Sequence, residues 1–349
     1  MSFGSDNHAP VHPKIMAALQ TANQGLAPSY GTDDLTAEAQ KLLNQWLGKK
    51  ASSYFVYNGT AANILALRSL TQGFHSVLCS QSSHLWNDEG IAPESVAQVK
   101  LIPIPDHHGK LQVRSLQKYL QRLGDQHYAQ PKVLSLTVPT ELGTCYSMEE
   151  LKELTSFARA HQLWIHIDGA RFANALHHLQ ISAADFFQQI PCDILSFGGT
   201  KNGWMFGETV VVFQAPDTYP IKFFRKQFMN LPSKTRYIAA QLQAYLQDDL
   251  WKEIAEHSCS MAQLLHQELQ KIPGLHIPFP VQSNAVFLQL PQPWIKVLRS
   301  RHFFYVWDEE TFLCRLMMNW TTTAESVHDF CRELRSLATK SVIDQSLVR

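Results

Sequence analysis

No cysteine pair in this chain is spaced C-x-x-C, and its six cysteines are scattered at positions 79, 145, 192, 259, 314 and 331. That pattern gives no zinc spacing and is too sparse for a secreted disulfide scaffold. Neither sign of charge prevails, since 30 Lys+Arg stand against 30 Asp+Glu. This charge balance argues against electrostatic nucleic-acid binding, which needs a basic patch rather than neutrality. No apolar run approaches the ~18 residues of a membrane span. The opening MSFGSDNHAP has neither a basic leader nor an apolar core, so no secretory signal is expected. Common cofactor motifs are missing or broken. Gly48-Lys49-Lys50 lacks the upstream glycine of a P-loop because position 43 is Leu, Gly198-Gly199-x-x-x-Gly203 departs from G-x-G-x-x-G, and HExxH does not occur. What is present is apolar surface, with Phe 19, Trp 8 and Tyr 10 among 349 residues. This excludes a disordered chain and suits one large domain plus a smaller one, expected in the cytoplasm.

From about residue 51 to 215, short apolar runs alternate with helical patterns. The runs YFVY (54–57), VLSLTV (133–138), LWIHID (163–168), DILSF (193–197) and TVVVF (209–213) read as buried strands. A helix is expected from Thr60 through Leu70, with Gly73 as its stop, and another opens at Ser147 in an S-x-x-E capping box. Such alternation implies an α/β fold with a mostly parallel sheet covered on both faces. A helical region begins near 235, and a mixed α+β pattern follows beyond 260. The expected division is residues 1–250, with an N-terminal arm over 1–20, and a small C-terminal α+β domain over 251–349.

Four segments carry the chemistry. In Asn58-Gly59-Thr60-Ala61-Ala62-Asn63 a strand ends and a helix opens, and the helix-start N–H groups with a Thr hydroxyl make a phosphate seat. The same pattern also serves as an ordinary helix cap. The run WIHIDGAR (164–171) delivers Asp168 at the end of an apolar strand, where a buried carboxylate needs a cation such as a protonated ring nitrogen. His166 and Asp168 share a strand face and permit a metal reading, but no third ligand stands at a recognisable spacing, so no metal is expected. In Ser196-Phe197-Gly198-Gly199-Thr200-Lys201 two glycines allow close approach to the backbone, and Lys201 follows them. A lysine held there suits Schiff-base chemistry, although most lone lysines in turns are merely solvated. His84, in Ser83-His84-Leu85-Trp86, could stack on an aromatic ligand and move protons near neutral pH. Together, a phosphate seat, a strand-end Asp and a lysine after a Gly-Gly turn fit pyridoxal 5'-phosphate.

The chain resembles the low-specificity L-threonine aldolases, in the aromatic amino acid β-eliminating lyase group of fold-type I pyridoxal-phosphate enzymes. The resemblance covers nearly the whole chain. It rests on SDNHAPVHPKI (5–15), GTAAN (59–63), SHLWNDEG (83–90), APE (92–94), TELGTCYSMEEL (140–151), HIDGARFANA (166–175), SFGGTKNG (196–203) and the RKQ…SKTR stretch (225–236), in that order. It implies a seven-stranded, mostly parallel sheet flanked by helices. It implies retro-aldol cleavage of L-threonine, L-allo-threonine and related β-hydroxy-α-amino acids to glycine and an aldehyde. Lys201 matches the Schiff-base lysine, Asp168 the partner of the pyridine nitrogen, and His84 the histidine stacked on the ring. Gly59, Thr60 and Ala61 match the phosphate loop. Arg171 matches the arginine near the cofactor's phenolic oxygen and the substrate carboxylate, with Ser5 and Arg315 as further carboxylate contacts. Lys226 and Arg236 look like residues that reach a neighbouring subunit's cofactor phosphate, which implies a homodimer or homotetramer with shared sites.

Departures from the family pattern are Ala61 for a common Gly, His8-Ala9-Pro10 for a Tyr-centred stretch, and Thr235 for an apolar residue. Rival readings are a phenylserine aldolase, a β-eliminating lyase acting on an aromatic amino acid, a binding protein of the same fold, and a His/Asp metallohydrolase. The intact Lys201, Asp168, Arg171 and Arg315 weigh against a binding protein.

Overall fold

The computed structural model describes residues 2–347. Ten strands are present among them: β1 Ser52–Val56, β2 His75–Ser80, β3 Lys100–Ile104, β4 Gln130–Thr137, β5 Trp164–Gly169, β6 Ile194–Gly198, β7 Glu208–Val212, β8 Ala285–Gln289, β9 Tyr305–Asp308 and β10 Leu313–Met317. The first seven form one sheet in the order β1-β7-β6-β5-β4-β2-β3, and the last three form a second in the order β8-β10-β9. Strands β3, β2, β4, β5 and β6 pair in parallel, whereas β7 runs antiparallel to both β6 and β1. The seven strands implied by the resemblance are all there.

Apolar runs alone pick out five of the seven. Central strands are buried on both faces, so β6 and β7 are continuous runs of buried residues. Two escape that pattern. Strand β2 starts with a half-buried His75, and β3 contains Pro103, which a sheet tolerates at its edge because the missing N–H faces away from a partner.

Local chemistry sets the helix that faces the site. It runs Gly59–Leu70, one residue earlier than the sequence suggests, because the Asn58 side chain caps it by accepting from the Ala61 N–H at 2.9 Å. It ends at Leu70 rather than being stopped by Gly73. Thr71 turns to extended backbone, and its hydroxyl donates to the Leu67 carbonyl at 2.7 Å. The Ser147–Glu150 capping box is formed in both directions.

The main core packs Leu134, Ile165, Ile167 and Leu195 of the sheet against surrounding helices. A separate core under the small sheet gathers Val286, Leu288, Leu316 and Phe330 and takes in Phe3 from the N-terminal arm. The long helix Leu250–Gln270 serves both. Its Leu250, Trp251, Ile254 and Ala255 belong to the main core, and its Ala262, Leu265 and Leu269 belong to the second. The arm is stitched to the small sheet by two backbone hydrogen bonds of 2.7 Å, from the Phe3 N–H to Phe303 and from the Met317 N–H to Phe3. No helix among the described residues is long and apolar enough to cross a membrane.

Candidate active site

In open α/β sheets, ligands bind beyond the carboxyl ends of the strands. Here the ends of β1, β5 and β6 meet the start of antiparallel β7 at one edge, through the pairs Asp168–Ser196, Gly198–Glu208 and Val56–Glu208. A cavity of about 380 Å³ opens there, lined among others by Thr60, Asn63, His84, Asp168, Lys201 and Glu208. It adjoins a wider mouth of about 790 Å³ that shares His84 and Lys201 and adds Ser5, Arg171, Trp307 and Arg315.

Asp168 is 3 % exposed and makes no ion pair among the described residues. Its oxygens accept from the Asn63 amide at 3.0 Å and the Ala170 N–H at 3.1 Å. A buried carboxylate supported only by neutral donors is a seat for a cation. Asn63 also donates to Glu89 at 2.9 Å, and Glu89 holds His84 Nδ1 at 2.9 Å. One polar chain therefore links the cavity's histidine to its strand-end carboxylate. His166, directly beneath Asp168 on β5, has Ser135 and Ser196 within 2.9 Å of its two ring nitrogens. Burial pushes this imidazole down to about 4, against the pull of Asp168. It is a neutral, internally satisfied group.

Gly198 lines the cavity, yet internal packing also demands both glycines. A Cβ on Gly198 would lie 2.6 Å from the Ala170 carbonyl oxygen, and one on Gly199 would overlap the Trp204 ring. What approaches these glycines is the chain's own backbone and indole, so they serve packing around the Lys201 turn. Gly59 differs, with nothing within 4 Å of where its Cβ would be. Gly59 and Thr60 line the cavity, whereas Ala61 does not, its N–H being spent on Asn58.

Arg171 is engaged by the protein itself. Its Nε and Nη2 donate to the two oxygens of Asp6 at 2.6 and 3.1 Å, and Nη1 stands 3.7 Å from Glu141. Arg315 makes only a 3.5 Å contact with the Gly4 carbonyl, stacks on Trp307 at 4.7 Å, and has an Nε with no hydrogen-bond partner among the described residues. Ser5 Oγ accepts from the Asn7 N–H at 3.1 Å. Lys226 and Arg236 line neither space. The first lies over the Tyr30 ring at 5.7 Å, and the second donates to the Gly25 carbonyl at 3.1 Å. Asp6, Asn63, Glu89, Glu141 and Glu208 have no assigned role in the sequence reading. The first four sit inside motifs quoted above, and Glu208 is marked by a charge heading an apolar strand.

Burial opposes protonation of His84, but the hydrogen bond and charge of Glu89 outweigh it, with Glu141 and Asp168 adding to the pull, and the pKa rises from 6.5. The bond to Glu89 therefore stabilises the fold fully below pH 6.5, and that contribution fades as pH climbs through the raised value. Glu89→Gln should lower the pKa of His84 and move the acid limb of the kcat/KM profile to lower pH. A limb that stays in place would show that His84 does not govern it.

The sheet order and the small antiparallel domain are those of the fold-type I pyridoxal-phosphate enzymes. The family model described as beta-eliminating lyase matches residues 2–292, and the chain belongs to that family. It is similar to the low specificity L-threonine aldolase of Pseudomonas aeruginosa, 38% identical over 338 residues that cover 95% of this chain and 96% of the relative. The corresponding enzyme of Pseudomonas sp. is 36% identical and covers 96% and 97%. Among solved structures, Leishmania major threonine aldolase superposes with a TM-score of 0.90 at 28% identity, covering 97% of this chain and 99% of that one.

Proposed function

We propose that this protein is a pyridoxal-phosphate-dependent aldehyde-lyase that cleaves L-threonine, L-allo-threonine and related β-hydroxy-α-amino acids to glycine and an aldehyde. The observation that carries the reading is the convergence of Asp168, Lys201 and the Gly59–Thr60 helix start on one cavity. The donor set fits the cofactor. A buried carboxylate without a cationic partner suits a protonated pyridine nitrogen, and the helix-start amides suit a phosphate.

When bound, pyridoxal phosphate supplies the electron sink for the carbon–carbon cleavage. Asp168 would hold the proton on its ring nitrogen, and Lys201 would hold its aldehyde. Gly59 and Thr60 would take the phosphate. The substrate carboxylate falls to Arg315 and the Ser5 hydroxyl, since Arg315 is the arginine of the mouth that no protein carboxylate neutralises within 4 Å among the described residues. Such a charge-assisted contact fixes orientation. Arg171 holds the arm bearing Ser5 through Asp6. His84 lines both cavity and mouth, as Lys201 does, and would take the β-hydroxyl proton.

A second copy of the chain is part of this reading. Tyr57 and Met205 line the cavity yet are 41% and 43% exposed, surface that a partner subunit would cover. Lys226 and Arg236 would then face the partner's site. Light scattering that returned a fully active monomer would remove this element.

The test is aldehyde and glycine release by the cofactor-loaded protein given L-threonine, L-allo-threonine and L-phenylserine side by side. Matching amounts of glycine and aldehyde are expected. Bound cofactor with no release from any of the three would discard the reaction. Tyr305 and Trp307 line the mouth, and this aromatic wall favours phenylserine as the runner-up substrate.

A further inference from the structure

Glu208 is a buried ionisable group of the cavity to which the reaction above gives no task. It is 6% exposed and opens β7 opposite Gly198 on one side and Val56 on the other. These neighbours matter because Gly198 leads into the turn carrying Lys201 and Val56 leads into the Gly59–Thr60 helix start. Its Oε2 accepts from the Gly199 N–H at 2.7 Å. Next to it, the Gly207 N–H donates to the Tyr57 carbonyl at 3.1 Å, and the Thr200 hydroxyl donates to the Gly207 carbonyl at 3.2 Å. The carboxyl thus grips the lysine turn, while the backbone beside it pairs with the strand that delivers the phosphate seat. It makes no ion pair among the described residues.

We propose that Glu208 is a positioning residue of this site: it fixes the Lys201 turn, and its charge state sets how tightly the neighbouring helix start holds a phosphate. The inference rests on the cofactor reading above. A carboxylate in a closed, water-poor space repels a phosphate dianion, whereas a carboxylic acid in the same place does not.

The surroundings favour the acid. Burial raises this carboxyl to about 7, against the lowering effects of the Thr200 hydroxyl, the Gly199 N–H and Lys201. His84, Glu89, Glu141 and Asp168 line the same cavity. The Arg236–Leu246 helix contributes Tyr245, itself pushed up mainly by burial. Strand β1 presents Tyr54, with Arg225 stacked on it at 5.4 Å. Asp168 of β5 lies beyond the intervening β6. The first two turns of the Gly59–Leu70 helix bring no charge.

The experiment titrates the cofactor-free full chain with pyridoxamine 5'-phosphate, which carries the phosphate but no aldehyde for Lys201, from pH 6 to 9. Wild type and Glu208→Gln are compared because glutamine keeps an acceptor for Gly199 and removes the charge. The two dissociation constants should agree near pH 6. The wild type should become roughly tenfold weaker than the variant by about pH 8.5, as one negative charge appears in the cavity that holds the phosphate. Unphosphorylated pyridoxamine should show no such divergence. A wild-type-to-variant ratio that stays constant with pH, or that diverges equally for pyridoxamine, would overturn the proposal. Absence of saturable binding by either protein at every pH would instead bring down the cofactor site itself. Glu208→Ala, which deletes the acceptor, should lower the melting temperature more than Glu208→Gln does. Equal melting temperatures would remove the turn-fixing half.

Discussion

Lys201→Ala should lower glycine and aldehyde release from L-threonine by roughly 10⁴-fold or more while leaving the fold intact. The size follows from the lysine's place. It is the amine shared by the cavity and the mouth, and no other lysine among the described residues lines either space to replace it. The variant should retain its melting temperature, since Lys201 sits in a short 3₁₀ turn, Thr200–Asn202, whose buried anchor is Asn202 on Tyr245. Added methylamine, a small substitute for the missing amine, should restore part of the rate. Normal turnover in Lys201→Ala would sink the assignment of this lysine and the reaction built on it.

Asp6→Ala should cost about 3–5 kcal/mol, because it leaves the guanidinium of Arg171 buried without its bidentate partner. The two side chains are 1% and 10% exposed. Burial works against the charge on Asp6, yet the Arg171 guanidinium outweighs it and holds the carboxyl below its usual 3.8. The pair is therefore at full strength above pH 3.8, and its contribution is lost as pH falls through the lowered value. The variant should show a lower melting temperature and a raised KM for L-threonine, since Ser5 and the arm are no longer held against the mouth. An unchanged melting temperature with an unchanged KM would show that the small-sheet hydrogen bonds of Phe3 suffice to hold the arm.

These two residues also mark how much of the site is legible in the amino-acid sequence alone. Lys201 and Asp168 stand out in the sequence because each follows a short apolar run, Asp168 at its end and Lys201 after a Gly-Gly turn, a signal that needs no knowledge of topology. The Ser147 capping box was legible because both partners lie within four residues. Asp6 was not, because its partner is 165 positions away and only the folded arm brings them together. The resemblance gives Arg171 the cofactor's phenolic oxygen and the substrate carboxylate, and the structure adds that two of its donors are committed to Asp6, a pairing that residue type alone does not reveal. The Gly198–Gly199 pair was read correctly as a place of close approach, but the approaching groups are Ala170 and Trp204, which only packing identifies. Strand β3 escaped notice because Pro103 weakens the strand pattern, and its edge position makes that proline harmless.

The helix Leu250–Gln270 belongs to two apolar interiors at once. A protein whose halves share a beam in this way cannot trade one of them as a cassette. A crossover before Leu250 would hand the recipient a helix whose first turns were shaped for a foreign sheet, and one after Gln270 would leave a small sheet without its own backing. Lineages carrying this architecture are thus expected to inherit both halves together, with sequence drift on either side of the beam answered by compensating change along it.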